Sequence, residues 1–275
     1  MMRLLTGYDI PEVEVYLERN HMETVFFSGN LARCGIENDG VNRRAGDYYG
    51  YFSESGLQGI AAFYNLGNVV VHYEAAEVVE HFAEIMRQRR FEFFVGLKKM
   101  VEPLSLALQP YKEILSCEES YFYVNQAPQP YSLDCLHQIA DMAAIERESA
   151  LAFIVETYRQ GFQRRFNREM AAKLIEERGP EEDFLFLLIN DEPVAQAIIQ
   201  VVTGRLAQIG GVYTREEYRG RGYCKALVAE LCRRICTAGR IPTLLVRQNN
   251  IPALKAYHGL GFTYYDEYLI TKFRI

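Results

Sequence analysis

The chain has 275 residues, 49% of them hydrophobic and 24% charged, enough apolar material for one large or two small cored domains. Its formal charge of −6, from 30 basic and 36 acidic residues, speaks against a nucleic-acid partner, because phosphate contacts need clustered Lys and Arg. No apolar run approaches the roughly 20 residues of a membrane helix, and Met1–Asp9 carries no secretory core, so no membrane partner and a cytoplasmic location are expected.

In chain order, apolar alternation predicts a hairpin over Tyr48–Glu54 and Gln58–Tyr64, turning at Ser55-Gly56, then a third strand at Asn68–Tyr73. A helix is expected over Ala75–Arg90, where Val78, Val79, Phe82, Ile85 and Met86 share one face. A strand at Phe91–Val95, a helix at Met100–Leu108 and a strand-like Lys112–Val124 follow. The prolines of Gln126–Tyr131 favour extended backbone and mark a linker, which divides the chain into 1–128 and 129–275.

The second part repeats the rhythm. Phe184–Ile189 and Val194–Val202 form a hairpin through Asn190–Pro193, and Leu206–Thr214 is a third strand. A helix runs over Tyr223–Ala238 to Gly239, followed by a strand at Thr243–Val246, a helix at Pro252–Gly259 and the strand-like Phe262–Lys272. The expected fold class is α+β: two tandem units, each a mixed, mostly antiparallel sheet flanked by helices. The basic runs Arg87–Arg90 and Arg164–Arg165 are expected to be solvated faces.

Six cysteines stand at positions 34, 117, 135, 224, 232 and 236, with no Cys-x-x-Cys among them. Neither a zinc site nor a disulfide framework is readable, so in a reducing cytoplasm they are expected to be small core residues, and no metal is expected.

The chemistry concentrates in Gly210–Leu227. A strand ends near Thr214, and Tyr218-Arg219-Gly220-Arg221-Gly222-Tyr223-Cys224 leads directly into a helix. Unpaired amides at such a helix start, beside the positive end of its dipole, form an anion site that two glycines keep open. The P-loop ending and the three-glycine Rossmann spacing are both absent.

This loop resembles the Arg/Gln-x-x-Gly-x-Gly/Ala pyrophosphate loop of the GNAT acetyltransferase superfamily, and its wording is closest to the glycine N-acyltransferase-like branch. About 30 residues on, Asn250 to Phe262 resembles that family's late Asn-x-x-Ala-x-x-x-Tyr-x-x-x-Gly-Phe signature. The resemblance implies an N-acetyltransferase that moves an acetyl group from acetyl-CoA to a small primary amine by direct transfer. It implies that Val212, Tyr213 and Thr214 hold the pantetheine arm through their backbone. Arg219, Gly220, Arg221, Gly222, Tyr223, Cys224 and Lys225 would wrap the pyrophosphate, and Asn250 would touch the CoA chain. Tyr257 is the implied catalytic acid for the departing thiolate.

Cys224 departs from the Gly or Ala usual at its position, and Gln208 stands where a Glu often serves as base, so no base is nominated. Between Tyr73 and the helix after it there is no glycine loop, and Glu74 and Glu77 would repel phosphate. The first part therefore reads as a degenerate unit without cofactor, with Tyr48, Tyr49, Tyr51, Phe52, Phe63 and Tyr64 as core or as an acceptor-facing surface. The alternative function is a non-catalytic acetyl-CoA sensor, which would bind acetyl-CoA without releasing CoA.

Overall fold

The structure, a computed structural model, describes residues 1–133, 138–178 and 182–275. The chain runs β1 (Met2–Leu4), α1 (Ile10–Arg19), α2 (Val25–Cys34), β2 (Gly46–Ser53), β3 (Gly56–Tyr64), β4 (Asn68–Tyr73), α3 (Val78–Gln88), β5 (Phe93–Leu97), α4 (Lys98–Leu108) and β6 (Ile114–Val124). It continues through β7 (Gln138–Asp141), α5 (Arg147–Glu156), α6 (Arg168–Glu176), β8 (Phe184–Ile189), β9 (Glu192–Val202), β10 (Leu206–Thr214), α7 (Tyr223–Thr237), β11 (Ile241–Arg247), α8 (Ile251–His258) and β12 (Thr263–Phe273). One order, β-α-α-β-β-β-α-β-α-β, occurs twice. It is the α+β duplication the periodicity predicts, with a leading strand and two helices that the periodicity did not resolve.

The chain folds as two compact units, and they interleave along the sequence. The first comprises Met1–Phe122, Val246–Asn249 and Tyr265–Ile275; the second comprises Tyr123–Leu245 and Asn250–Tyr264. In the first unit the strand order is β1-β2-β3-β4-β5-β12-β6. The last strand of the chain thus completes the first unit's sheet, with Tyr268 opposite Leu97 and Lys272 opposite Phe93 in antiparallel register. In the second unit the order is β11-β10-β9-β8-β7.

Strand alternation explains the layers. Along β3, Ile60, Ala62 and Tyr64 join Tyr16 and Phe27 of α1 and α2 in one core. Gly59 faces the other way, where a Cβ would press on Val78 and Phe82 of α3. Tyr48, Tyr51, Phe63 and Tyr64 are all buried, and Tyr48 meets Tyr64 edge-on at 5.9 Å, so the aromatic strands fill the first unit's core. In β8 the uninterrupted run Phe184–Leu188 is buried on both faces. Phe184, Phe186 and Leu188 pack with Phe153 and Ile154 of α5 and Ala171 of α6. That double burial is why the run is continuous rather than alternating.

The first unit also encloses a polar chain. His72, at the end of β4, places Nδ1 2.7 Å from Tyr16 Oη and Nε2 3.1 Å from Glu23 Oε2, while Lys99 Nζ donates to Glu23 Oε1 at 2.6 Å. Burial alone would raise the Glu23 pKa, but hydrogen bonds from His72 and Lys99, with Lys99's charge, outweigh it and hold the pKa at about 2. A carboxylate depressed in the folded state contributes stability above its unfolded pKa and loses it as pH falls toward the folded one. Glu23→Gln is therefore expected to cost about 2–3 kcal/mol at pH 7 and little at pH 2. Urea unfolding at the two pH values checks this. Asp9, held near 2 by the hydrogen bond from Arg3, keeps some acid sensitivity in the variant.

No helix among the described residues is long and apolar enough to cross a membrane, and no group of three His, Cys, Asp or Glu among them could hold a metal. Of the cysteines expected in the core, Cys232 is buried, Cys34 and Cys224 are half-buried, and Cys117 and Cys236 are exposed, on the open stretch of β6 and in the last turn of α7; none of these five is in a disulfide, and Cys135 lies outside the described residues.

Candidate functional site

The site grows out of β10. Its parallel pairing with β11 covers only Leu206–Ile209 against Ile241–Leu244, and Gly210–Thr214 run on beyond it. On the other side the register with β9 skips. Gly210 faces Ile198 and Tyr213 faces Gln196, so β10 spends one residue more than its neighbour and bulges at Gly211-Val212. Gly211 takes φ +57°, and a Cβ there would lie 2.7 Å from the Ile198 side chain. Fully buried Gln196 braces the bulge, donating from Nε2 to the Gly211 carbonyl at 3.1 Å. A bulge redirects backbone amides out of the ladder. From Gly210 to Thr214, β10 has no ladder partner on the β11 side.

The loop after β10 forms the second wall. Arg219 Nε donates back to the Thr214 carbonyl at 3.2 Å, and Arg221 Nη2 to the Glu217 carbonyl at 3.3 Å. Both guanidiniums brace the loop and stay exposed. Gly220 and Gly222 sit at φ +76° and +80°, where a side chain is strained. Gly222 is the N-cap of α7 and offers no capping side chain, and the first turn carries no acid. No Gly222 side chain and no first-turn acid caps the leading amides of α7, which start a 15-residue helix at the positive end of its dipole. Such a helix start attracts an anion.

The third wall is α8. The Asn250 side chain accepts from the Ala253 amide at 3.3 Å, which makes Asn250 the N-cap of α8. Tyr257 lies in its last turn, 6% exposed, with its ring against Phe262 at 5.9 Å. Burial raises the Tyr257 pKa above the ordinary phenol value, and the nearby Cys224 thiol adds to that. The structure therefore brings Tyr257 and Cys224 together from opposite ends of the two motifs. Burial also raises the Cys224 thiol, outweighing the hydrogen bonds from the Cys224 and Lys225 amides and the Lys225 charge. Cys224 is a packed thiol and not an activated nucleophile, although it begins a helix.

Three features of the site left no signal in the sequence. Tyr131 follows the Pro-rich stretch, which is pinned by the Gln129 amide donating to the Leu260 carbonyl at 2.9 Å. Its hydroxyl stands where a Cβ at Gly222 would go, and Lys225 Nζ lies 4.3 Å from its ring centre. Glu156, at the end of α5, pairs with Arg215 at 2.9 Å and accepts from Tyr213 Oη at 3.3 Å. The Tyr213 side chain thus anchors the strand end to α5, leaving only its backbone for a ligand. The third is Gln196, whose polarity on an apolar strand is its sole mark.

The matching place in the first unit is built differently. The β3–β4 register runs without a skip from Gly59–Tyr73 to Phe63–Val69. Tyr73, ending β4, donates its hydroxyl to the Met100 carbonyl of α4 at 3.1 Å. Glu74 is held by Arg19 at 2.7 Å and Glu77 accepts from Tyr51 at 3.0 Å. There is neither bulge nor glycine loop, and side chains occupy the corner.

Asn250→Ala is expected to cost about 1 kcal/mol of stability through the lost cap. Asn250→Ser, which retains a capping oxygen, should recover most of that in urea unfolding.

No curated protein matches the chain by sequence. The FR47-like protein family model matches residues 189–270. Among solved structures, a Drosophila protein superposes with a TM-score of 0.75 at 11% identity, covering 99% of this chain and 98% of that one. A tandem GNAT protein from the clavulanic acid biosynthesis pathway gives 0.63 at 11% identity, over 99% and 98% of the two chains. A GNAT-family acetyltransferase from Colwellia psychrerythraea gives 0.57 at 15% identity over the full length of both. The chain therefore has the tandem GNAT fold, and its FR47-like match spans the bulged strand, the glycine loop and the Tyr257 helix.

Proposed function

We propose that the protein is an N-acetyltransferase that binds acetyl-CoA in its second unit and passes the acetyl group directly to a primary amine. The observation that carries this reading is the conjunction of a bulged, half-unpaired β10 with an uncapped helix start after Gly220 and Gly222. Acetyl-CoA would supply the activated acyl group. The chain's own residues do the rest. The α7 amides hold the pyrophosphate, and the bulge amides hold the thioester and donate to the oxyanion as the amine attacks. As the C–S bond breaks, Tyr257 gives its proton to the thiolate, while the amine's proton leaves to solvent. A phenol whose pKa lies above the ordinary value stays protonated at neutral pH and remains able to donate. In wording, the loop Tyr218–Cys224 resembles the glycine N-acyltransferase-like branch most, which supports an amine acceptor.

The role we assign to the first unit is that of a cofactor-free relative retained for its fold. A cytoplasmic site of action accords with five described thiols, none of them in a disulfide. A sensor that binds acetyl-CoA without turnover is favoured by one observation: Gln208, 2% exposed on β10, offers no titratable base. Isothermal titration with acetyl-CoA tests the binding step. One site per chain supports it, and no heat and no thermal stabilisation overturn it.

A further inference from the structure

A concavity of about 570 Å³ opens between α5 and α6, lined by Arg159, Arg164, Arg165, Phe166 and Met170 among others. Its position is tied to β10. The turn Thr157–Gly161 that follows α5 sets Gly161 so close to Tyr213 that a Cβ there would lie 2.6 Å from the ring. Tyr213 Oη also donates to Gln160 at 3.2 Å. The wall of the cavity is therefore fastened to the strand end that would present the acetyl group. Arg164 and Arg165 are exposed, as expected of a solvated face, and they also line this cavity.

The charges are unbalanced. Arg159 spends Nε on the Phe166 carbonyl at 2.6 Å, and among the described residues the guanidiniums of Arg159, Arg164 and Arg165 have no carboxylate partner. Several other arginines of the unit do find acids: Arg168 pairs with Glu148, Arg215 with Glu156 and Arg234 with Asp183. Three exposed guanidiniums without a carboxylate partner thus gather around one hollow and leave it positive, a surface that suits an external anion. Phe166, stacked on Tyr158 at 4.1 Å, adds an apolar surface.

We propose that this cavity takes the anionic end of the acceptor, and that the acceptor is an amine bearing a doubly negative group, a phosphate monoester or a pair of carboxylates. A single carboxylate would leave most of the local positive charge unmatched. The inference rests on the acetyltransferase reading for its amine, but the cavity can be tested without turnover.

The experiment uses matched probes with the full chain: O-phosphoethanolamine against ethanolamine, L-glutamate against L-glutamine, and L-aspartate against L-asparagine. Each is followed by thermal shift in the presence of CoA and by thiol release from acetyl-CoA. The expected result is a shift for at least one anionic member and none for its neutral twin. Arg164→Ala/Arg165→Ala should abolish that shift and raise the KM for the anionic amine at least about 10-fold, with the acetyl-CoA KM unchanged. The double Lys variant should retain part of the effect, since both residues are exposed and only charge is kept. A preference for phosphoethanolamine identifies a phosphate, and one for the dicarboxylates identifies carboxylates. Shifts without thiol release would support the cavity and count against the transferase reading. Neutral and anionic members behaving alike, or no response to any anionic probe, would overturn the cavity inference even if other amines are acetylated.

Discussion

Replacing Gly222 with glutamate is expected to weaken acetyl-CoA binding at least about 100-fold, or about 2.8 kcal/mol, while the protein stays folded. Two features make this position severe. Its φ of +80° is costly for any side chain, and the new Cβ would collide with the Tyr131 hydroxyl. The added carboxylate would then sit at the N-terminus of α7, where it is favourable for the helix and would compete directly with pyrophosphate. Gly220→Ala is the matched control. It also has positive φ, +76°, but its Cβ would meet nothing within 4 Å, so it should lose only the strain of the backbone. Calorimetric titration of both variants, with circular dichroism for the fold, separates cradle from conformation. Equal affinity in wild type and Gly222→Glu would place the cofactor elsewhere.

Tyr257→Phe is expected to lower kcat by roughly 10- to 1000-fold and leave acetyl-CoA affinity within about twofold, because the hydroxyl acts as the thiolate leaves. Its raised pKa fixes the sign of the pH dependence. The acid form is needed, and it persists below a pKa above 10, so the activity should show no alkaline loss attributable to Tyr257 between pH 7 and 9. Cys224→Ala, which removes the thiol neighbouring that phenol, should change kcat by less than about threefold, since a buried protonated thiol is a poor nucleophile. Stopped-time thiol release across this pH range checks all three. An unchanged kcat in Tyr257→Phe would return the residue to a packing role and favour the sensor.

The extent to which the sequence carried this account follows from where each signal is stored. Asn68–Tyr73, Phe184–Ile189 and Leu206–Thr214 match the strands residue for residue, because strand periodicity and turn residues are local. The glycine loop was legible for the same reason: positive φ demands glycine and leaves a fixed spacing. The destination of β12 was not. Its Tyr268–Lys272 pairs with β5 at a separation along the chain that no window of residues contains. For that reason a cut after residue 128 would take from the first unit a strand that its sheet uses, and the two halves are best probed by substitution in the intact chain. The leading helices α1, α2, α5 and α6 are not among the elements the periodicity predicts, although the segment joining α5 to α6 carries the arginines of the cavity. At the site, Tyr131 and Gln196 act through a single contact each, and one residue has no period. The role of Asn250 as a cap, by contrast, follows the ordinary preference for Asn before a helix with proline in its first turn.

The central claim is that unit two transfers an acetyl group, and amine-dependent release of CoA from acetyl-CoA tests it most directly. The assay pairs wild type with Gly222→Glu and Tyr257→Phe against pooled amines that include the anionic probes, with free thiol read continuously. The account predicts amine-dependent thiol release by wild type, none above background for Gly222→Glu, and slow release for Tyr257→Phe. Wild-type protein that binds one acetyl-CoA per chain yet releases no thiol with any amine in the pool would contradict it.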